Sequence, residues 1–572
     1  MLQMRLQIVK SKNAVSLYVV KSVYENKRRT SKVVEKLGTL AELSEKLQGE
    51  DPVEWGKRYV EDLTRQENEA KRKVLVEYSP VAEIPDGQRV FNGGYLFLQQ
   101  IYNSLNLPEI CDKISERHKF TFNLDSVLSR LIYGRIIYPC SKLATNELAK
   151  KFIEEPDFDL QHIYRGLEIL AKENDFIQSS AYKSSSKLKK RNTNILYYDC
   201  TNYFFEIERE SGLKQYGVSK EHKPNPIVQM GLFMDGDGIP LAFDINPGNT
   251  NEQTTMRPLE EAILKDFSIS KFIVCTDAGL SSESNRKLNN YGERAYITTQ
   301  PIKKLNKHLT KWALSSENWF LSDNIKTYDI NEIDEDTYKE SIFHKERWIN
   351  ENGLEQRLIV TYSIKYRDYQ RVIREQQINR AQKALETNAS KIKKSRPNDY
   401  KRFIKQTHCT QVGEVAEKSA YSINTDLIDD EMVYDGFYAV CSNLEGDSGE
   451  IIKINKGRWK IEECFRIMKT ELKARPVFLS RDDRIKAHFL TCYLALLIYR
   501  LLEKRLNQRF TCSEIITALR SMRFIRVKGE GYIPAYSKSP VIDALHDEFG
   551  FKTDYQILTS QQIKKIIKKT KN

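Results

Sequence analysis

Asn194-Ile195-Leu196-Tyr197-Tyr198-Asp199 and Phe272-Ile273-Val274-Cys275-Thr276-Asp277 are two apolar runs, each closing on an aspartate. Short runs rich in β-branched and aromatic residues read as buried strands. Between them, residues 227–234 and 239–245 flank Asp235-Gly236-Asp237-Gly238, a strong hairpin-turn signal. A helical pattern over 254–265 precedes the second run, and residues 295–299 give a further short strand. Strand, hairpin, helix, strand, helix, strand predicts an α/β fold, a mixed sheet with helices on its faces. In such sheets, side chains at the carboxyl ends of strands face the site crevice, which is where Asp199 and Asp277 fall. Singly, an aspartate after a strand is a turn former. As a pair on neighbouring strands, the two make an oxygen ligand set for a hard divalent cation.

A long helix over 448–472 supplies a third carboxylate. With Arg458 as zero and about 100° per residue, Glu462 falls near 40° and Lys469 near 20°. Asn455 and Arg466 lie near 60° and 80° on the same wheel. Ile461, Cys464, Phe465, Met468 and Leu472 occupy the adjoining side. One edge therefore packs on the core while the next presents Arg, Glu and Lys together. A solvated face with an Arg458/Glu462 pair would look the same but would not account for the two strand-end aspartates. Two carboxylates from strands and one from a helix are what two-metal phosphoryl chemistry needs. One ion makes a nucleophile of water or a 3′-hydroxyl, and the other stabilises the leaving oxygen. Basic residues on the same face would hold the scissile strand by its phosphates.

These residues carry a resemblance. Asp199-Cys200-Thr201 resembles the D-x-T element, and Asp277-Ala278-Gly279 the D-A-G element, of bacterial insertion-sequence transposases of the DDE class. The stretch 457–469 resembles the signature helix of their insertion sequence four-like group, written Y-x2-R-x3-E-x6-K. Pro247-Gly248-Asn249-Thr250 and Leu143-Ala144-Thr145 are similar to stretches of one subgroup. The resemblance implies a ribonuclease H-like core with a large insertion before the Glu-bearing helix. Asp199, Asp277 and Glu462 would then be the catalytic, metal-binding triad, and Arg458 and Lys469 would contact transposon-end DNA. Asn455 stands where the family has tyrosine; it can donate to a phosphate but cannot stack or offer a phenol. The implied cofactor is Mg²⁺, with Mn²⁺ able to substitute, as a pair of ions. The implied partners are the terminal inverted repeats and target DNA, bound by a homodimer that performs cut-and-paste transposition. Related enzymes pin a flipped base on a tryptophan of the insertion, and Trp312, Trp319 and Trp348 qualify by location. Two other readings stay open: a different ribonuclease H-like metal nuclease, and a transposase-derived DNA-binding protein without activity.

The rest of the chain is consistent with a soluble intracellular protein. At 572 residues it is long enough for several domains, and 40% hydrophobic residues can fill their cores. Lys and Arg outnumber Asp and Glu by 91 to 78, an excess that suits a polyanionic partner. Nine cysteines without a CxxC pair argue against a disulfide framework or a zinc module. His222, His308 and His344 likewise lack spaced metal-ligand partners. No phosphate-loop motif points to ATP. The start of the sequence lacks a signal-peptide core. The apolar stretch 489–502 carries Thr491, Tyr493, Tyr499 and Arg500 and reads as a core helix, so no membrane is expected. A cytoplasmic, nucleoid-associated location follows as the expectation.

The expected domains are an N-terminal strand-and-helix segment (1–90) and a helical segment (91–190) that reads either as a DNA-binding domain or as a compact all-α one. The catalytic core (191–300 plus 445–510) is split by an insertion (301–444), and a C-terminal region (511–572) ends in a frayed basic tail. The first contains a strand at 16–24, the basic turn Lys27-Arg28-Arg29 and a charged helix through Lys71. The insertion contains a basic helical segment, 365–405, with 13 Lys or Arg against 4 Asp or Glu. It reads either as a DNA-contacting stretch or as a solvated helical hairpin.

Overall fold

The structure is a computed structural model that describes residues 4–12, 14–25, 28–47, 49–71, 74, 80, 81, 83, 87–321, 324–388, 399–409 and 418–571. It comprises two units, Met1–Asp86 and Gly87–Asn572. In the first, strands β1 (Met4–Lys10), β2 (Val15–Glu25) and β3 (Arg28–Thr39) form an antiparallel meander. The helix Pro52–Lys71 packs on it, covering Leu17 and its neighbours. Thr39 starts the intervening helix Leu40–Lys46 with a reciprocal capping box to Glu42. Arg28 and Arg29 open β3; Lys27 lies outside the described residues.

The second unit opens with the short strand β4 (Val90–Asn92) and six helices between Tyr95 and Leu188. Helices Tyr95–Ser104, Leu124–Ile137 and Leu160–Lys172 pack around the 24-residue helix Asp482–Arg505. That helix is long and apolar enough to cross a membrane, yet nearly all of it is buried inside the fold. Its polar groups are matched there: Tyr493 donates to the Leu241 carbonyl at 2.7 Å, and Arg500 to the Gly238 carbonyl at 3.0 Å and to Glu463 and Glu503.

Strands β5 (Ile195–Phe204), β6 (Ile227–Asp235), β7 (Pro240–Pro247), β8 (Phe272–Thr276) and β9 (Arg294–Thr299) form one half of a ten-stranded sheet. The other half is β10 (Trp319–Leu321), β11 (Asn324–Tyr328), β12 (Phe343–Glu351), β13 (Leu354–Tyr362) and β16 (Phe437–Ser442). Strands β14 (Ile404–Cys409) and β15 (Lys418–Ile423) make a separate hairpin. The order across the large sheet is β11-β10-β12-β13-β16-β9-β8-β5-β6-β7, with β5, β8 and β9 parallel and the other pairings antiparallel. The segment 301–444, expected as an insertion, thus continues the sheet that carries the aspartates. Strands β17 (Arg523–Val527), β18 (Gly531–Pro534) and β19 (Leu558–Thr559) join β4 in a four-stranded sheet.

Several local expectations are corrected. The β5 strand does not stop at Asp199 but runs on to Phe204, because Thr201, Tyr203 and Phe204 continue the β pattern and pair with β6. The helix expected over 448–472 is two, Ser448–Lys456 and Trp459–Thr470. Tyr197 donates to the Ile454 carbonyl at 2.9 Å, and its hydroxyl lies where a Cβ on Gly457 would be, 2.0 Å away. Only glycine admits that approach. The basic segment forms the helix Ile364–Asn388, while 389–398 lie outside the described residues. The C-terminal lysines belong to an ordered helix, Ser560–Lys571. Its Ile563, Ile566 and Thr570 are buried, and Thr570 bonds Gln99 at 2.9 Å.

The hairpin turn between β6 and β7 is held from several sides. Asp235 accepts from the amides of Asp237 and Ile239 at 3.0 and 2.9 Å and pairs with the buried Arg191. Lys460 donates to the Gly236 carbonyl at 2.6 Å, and Gly238 takes the positive φ of 81° that closes the turn.

Candidate functional site

The parallel pairing of β5 with β8 sets Ile195 beside Ile273 and Tyr197 beside Cys275. Two residues further on, the same register brings Asp199 level with Asp277. Side chains alternate across a strand, so both aspartates share the face of Tyr197 and Cys275. That face is covered by the helix pair: Tyr197 reaches Ile454, and the Cys275 thiol lies 3.8 Å from Asn455 Oδ1. Asp277 also caps the short turn after β8, accepting from the Gly279 amide at 2.5 Å.

Burial pushes the Asp199 carboxyl up to about 6. The ammonium of Lys220, the Cys200 amide at 2.7 Å and Arg458 act against the rise, and the charge of Asp277 adds to it. Lys220 holds the Cys200 carbonyl and pairs with Glu252 at 3.2 Å. Burial works against its charge, but Asp199 and Glu252 keep its pKa above the usual lysine value. Lys469 enters from the helix, 3.2 Å from Glu221 and over the Tyr203 ring. Burial and then Lys220 draw its pKa down to about 8, against the attraction of Asp199. Glu221 also pairs with Arg475.

Arg458 and Glu462 sit on the same helix edge, 3.9 Å apart, and Arg458 donates to Thr299 Oγ1 at 2.8 Å. Glu462 is 65% exposed at its side chain. With Tyr366, Tyr438 and Trp459 these two residues line a cavity of about 470 Å³. Asn455 is buried rather than presented outward, its amide donating to the Tyr438 hydroxyl at 3.3 Å. That hydroxyl lies 2.6 Å from Thr299 Oγ1, so Tyr438 brings a phenol into the network around Arg458. Of the three insertion tryptophans, Trp319 is fully buried and donates to the Ser315 carbonyl at 3.0 Å. Trp312 lies against Lys345 and Arg347, and Trp348 is 45% exposed.

The two aspartates suit a hard cation: both offer oxygen, and their repulsion is what a bound positive charge would relieve. Glu462 is not gathered with them. Among the described residues, the trio of potential ligands lying within 4.8 Å of one another is Asp543, His546 and Asp554, not Asp199, Asp277 and Glu462. Lys220, Glu221 and Glu252 were missed by sequence reasoning. The first two sit in the aperiodic loop between β5 and β6, where no spacing signal exists to find them.

A search of curated proteins finds no match to the chain. Among solved structures, a cryo-EM structure of a piggyBac transposase synaptic complex with hairpin DNA aligns with a TM-score of 0.35 and 8% identity. The alignment covers 75% of this chain and 78% of that one; a likeness so distant carries no argument. The family model described as a transposase DDE domain matches residues 204–498, just over half the chain. The match begins after Asp199 and includes Asp277, Arg458, Glu462 and Lys469. By that match the chain belongs to the transposase DDE domain family.

Proposed function

We propose that the protein cuts DNA at the terminal inverted repeats of its own element and joins the freed ends to target DNA, cut-and-paste transposition. The observation that carries this reading is the in-register pair Asp199 and Asp277 on the sheet face covered by the Arg458/Glu462/Lys469 helix. The order β9-β8-β5-β6-β7, with β6 antiparallel to both neighbours, supports a ribonuclease H-like core. The motif spacing on the helix supports the insertion sequence four-like group. Tyr438 offers the phenol that Asn455 lacks at the signature position.

Asp199 and Asp277, with Glu462 swung inward, would hold Mg²⁺ or Mn²⁺, as two ions. When bound, the metal supplies activation of the attacking oxygen and stabilisation of the leaving one. Lys469 and Lys220 flank the aspartates and would draw the scissile phosphate toward them. Arg458, fixed on Thr299, would hold a neighbouring phosphate. The enzyme would act as a homodimer, one copy at each end of the element. Labelled DNA carrying the gene's flanking ends should be cut in Mg²⁺ and left intact in EDTA. Metal-independent cutting, or cutting without preference for the ends, would refute the reading.

A pH dependence follows. Metal binding needs the Asp199 carboxylate, and its folded pKa of about 6 leaves it protonated in mild acid. Calorimetric Mn²⁺ affinity should therefore fall about tenfold per pH unit below 6 and level off above it. In the metal-free protein the sign is opposite. A folded pKa above the unfolded one makes this group's contribution to stability complete below about 4 and lost as pH rises through 6.

A further inference from the structure

Apart from the carboxylates, a cavity of about 190 Å³ lies where the helices Leu124–Ile137 and Lys142–Ala149 meet the loop 473–479. Arg135, Lys142, Lys473 and Arg475 line it, and no carboxylate does. Lys142 is only 5% exposed, and its Nζ has no hydrogen-bond partner. The Arg135 Nε is equally unpartnered, although its other nitrogens hold the carbonyls of Cys140, Leu472 and Lys473 at 3.2–3.3 Å. Ser141, which caps the helix Lys142–Ala149 by accepting from the Ala144 amide at 3.2 Å, also lines the cavity, so the N-terminal end of that helix borders it. Glu221, the partner of Arg475, does not line the cavity.

Burying an ammonium without a partner is costly, and proteins tolerate it where a ligand or a shifted pKa offsets the cost. Here burial, then Arg135, pulls the Lys142 pKa down to about 7. The fold thus keeps a basic group out of water beside a second unsatisfied cationic donor, both on residues that line the cavity. We propose that this cavity binds a phosphate group, held by Lys142 and Arg135 at the N-terminus of the helix Lys142–Ala149. A phosphate supplies acceptors for both orphaned donors and the negative charge that the lining lacks. The group can come from a DNA strand or from free inorganic phosphate; the oxyanion is the same. Such a site works independently of the carboxylate chemistry proposed above.

Thermal melting of the full chain tests it, in sodium chloride and in about 10 mM inorganic phosphate at equal ionic strength, for wild type and Lys142→Met. Phosphate should raise the wild-type Tm by about 2 °C or more, following binding linkage. Lys142→Met should abolish that rise, yet melt no lower than wild type in chloride, because it removes an unpaired buried charge. A lysine with a purely structural role would do the reverse, lowering Tm on replacement and leaving the phosphate response intact. A second arm uses a short 5′-phosphorylated single strand. A Lys142-dependent rise with the strand but not with inorganic phosphate assigns the site to a DNA backbone. No Lys142-dependent rise with either probe overturns the proposal. Lys142→Gln repeats the test should the methionine variant fail to fold.

Discussion

Asp199→Asn, Asp277→Asn and Glu462→Gln are each expected to lower DNA cleavage by about 1,000-fold or more while leaving DNA binding nearly unchanged. The changes are isosteric and remove only a charge. A neutral amide is a poor ligand for a hard divalent ion, so the loss should fall on the chemical step. In the proposed reading binding rests instead on Arg458, Lys469 and the other cations of the face, which these variants keep. Asp199→Asn carries an additional signature. Its carboxylate is held out of water beside Asp277, so the amide should leave the metal-free protein at least as stable as wild type. A melting curve therefore separates lost chemistry from lost folding. End cleavage assayed beside a gel-shift titration reads both halves of the expectation, and undiminished cutting by any of the three would remove that residue from the triad.

The second large effect is structural. Arg191 and Asp235 form an ion pair with side chains 1% and 0% exposed. The guanidinium also donates to Ser185 at 2.7 Å and to the carbonyls of Ile239 and Pro240 at 2.9 and 3.0 Å. Arg191→Met would leave the Asp235 carboxylate buried without its counter-charge, a loss of about 3–5 kcal/mol. Adding Asp235→Asn should restore part of it, since the amide oxygen can still accept from Asp237 and Ile239. Urea unfolding of the single and double variants gives the comparison. Equal destabilisation by both would mean that the hydrogen bonds, not the charges, hold the turn.

How far this architecture could be read from the chain depended on whether each signal was local. The apolar runs before Asp199 and Asp277 declared themselves strands, and hydropathy declared 489–502 a core helix, which the fold extends to Asp482–Arg505. The level placement of the two aspartates came with the parallel register. The end of β5 was misjudged because aspartate is a common turn former, yet the pairing with β6 carries the strand past it. The division of the signature helix was hidden because its cause, the Tyr197 hydroxyl against Gly457, is a contact between residues far apart in sequence. Lys220 was invisible for the same reason: a loop without periodicity brings its ammonium onto the Cys200 carbonyl, next to Asp199 in the chain. The outward role expected for Asn455 followed from an unbroken helical wheel, whereas in the fold its side chain turns to Tyr438.

The continuity of the ten-stranded sheet has a practical consequence. Strand β16 lies hydrogen-bonded between β9 and β13, so excising 301–444 would not trim an appendage. It would strip the flank of β9 and leave a row of unsatisfied amides and carbonyls along a hydrophobic strand, a template for self-association. A shortened enzyme made that way should precipitate, and a soluble minimal version must retain β13 and β16 or cap the exposed flank with charged residues or proline.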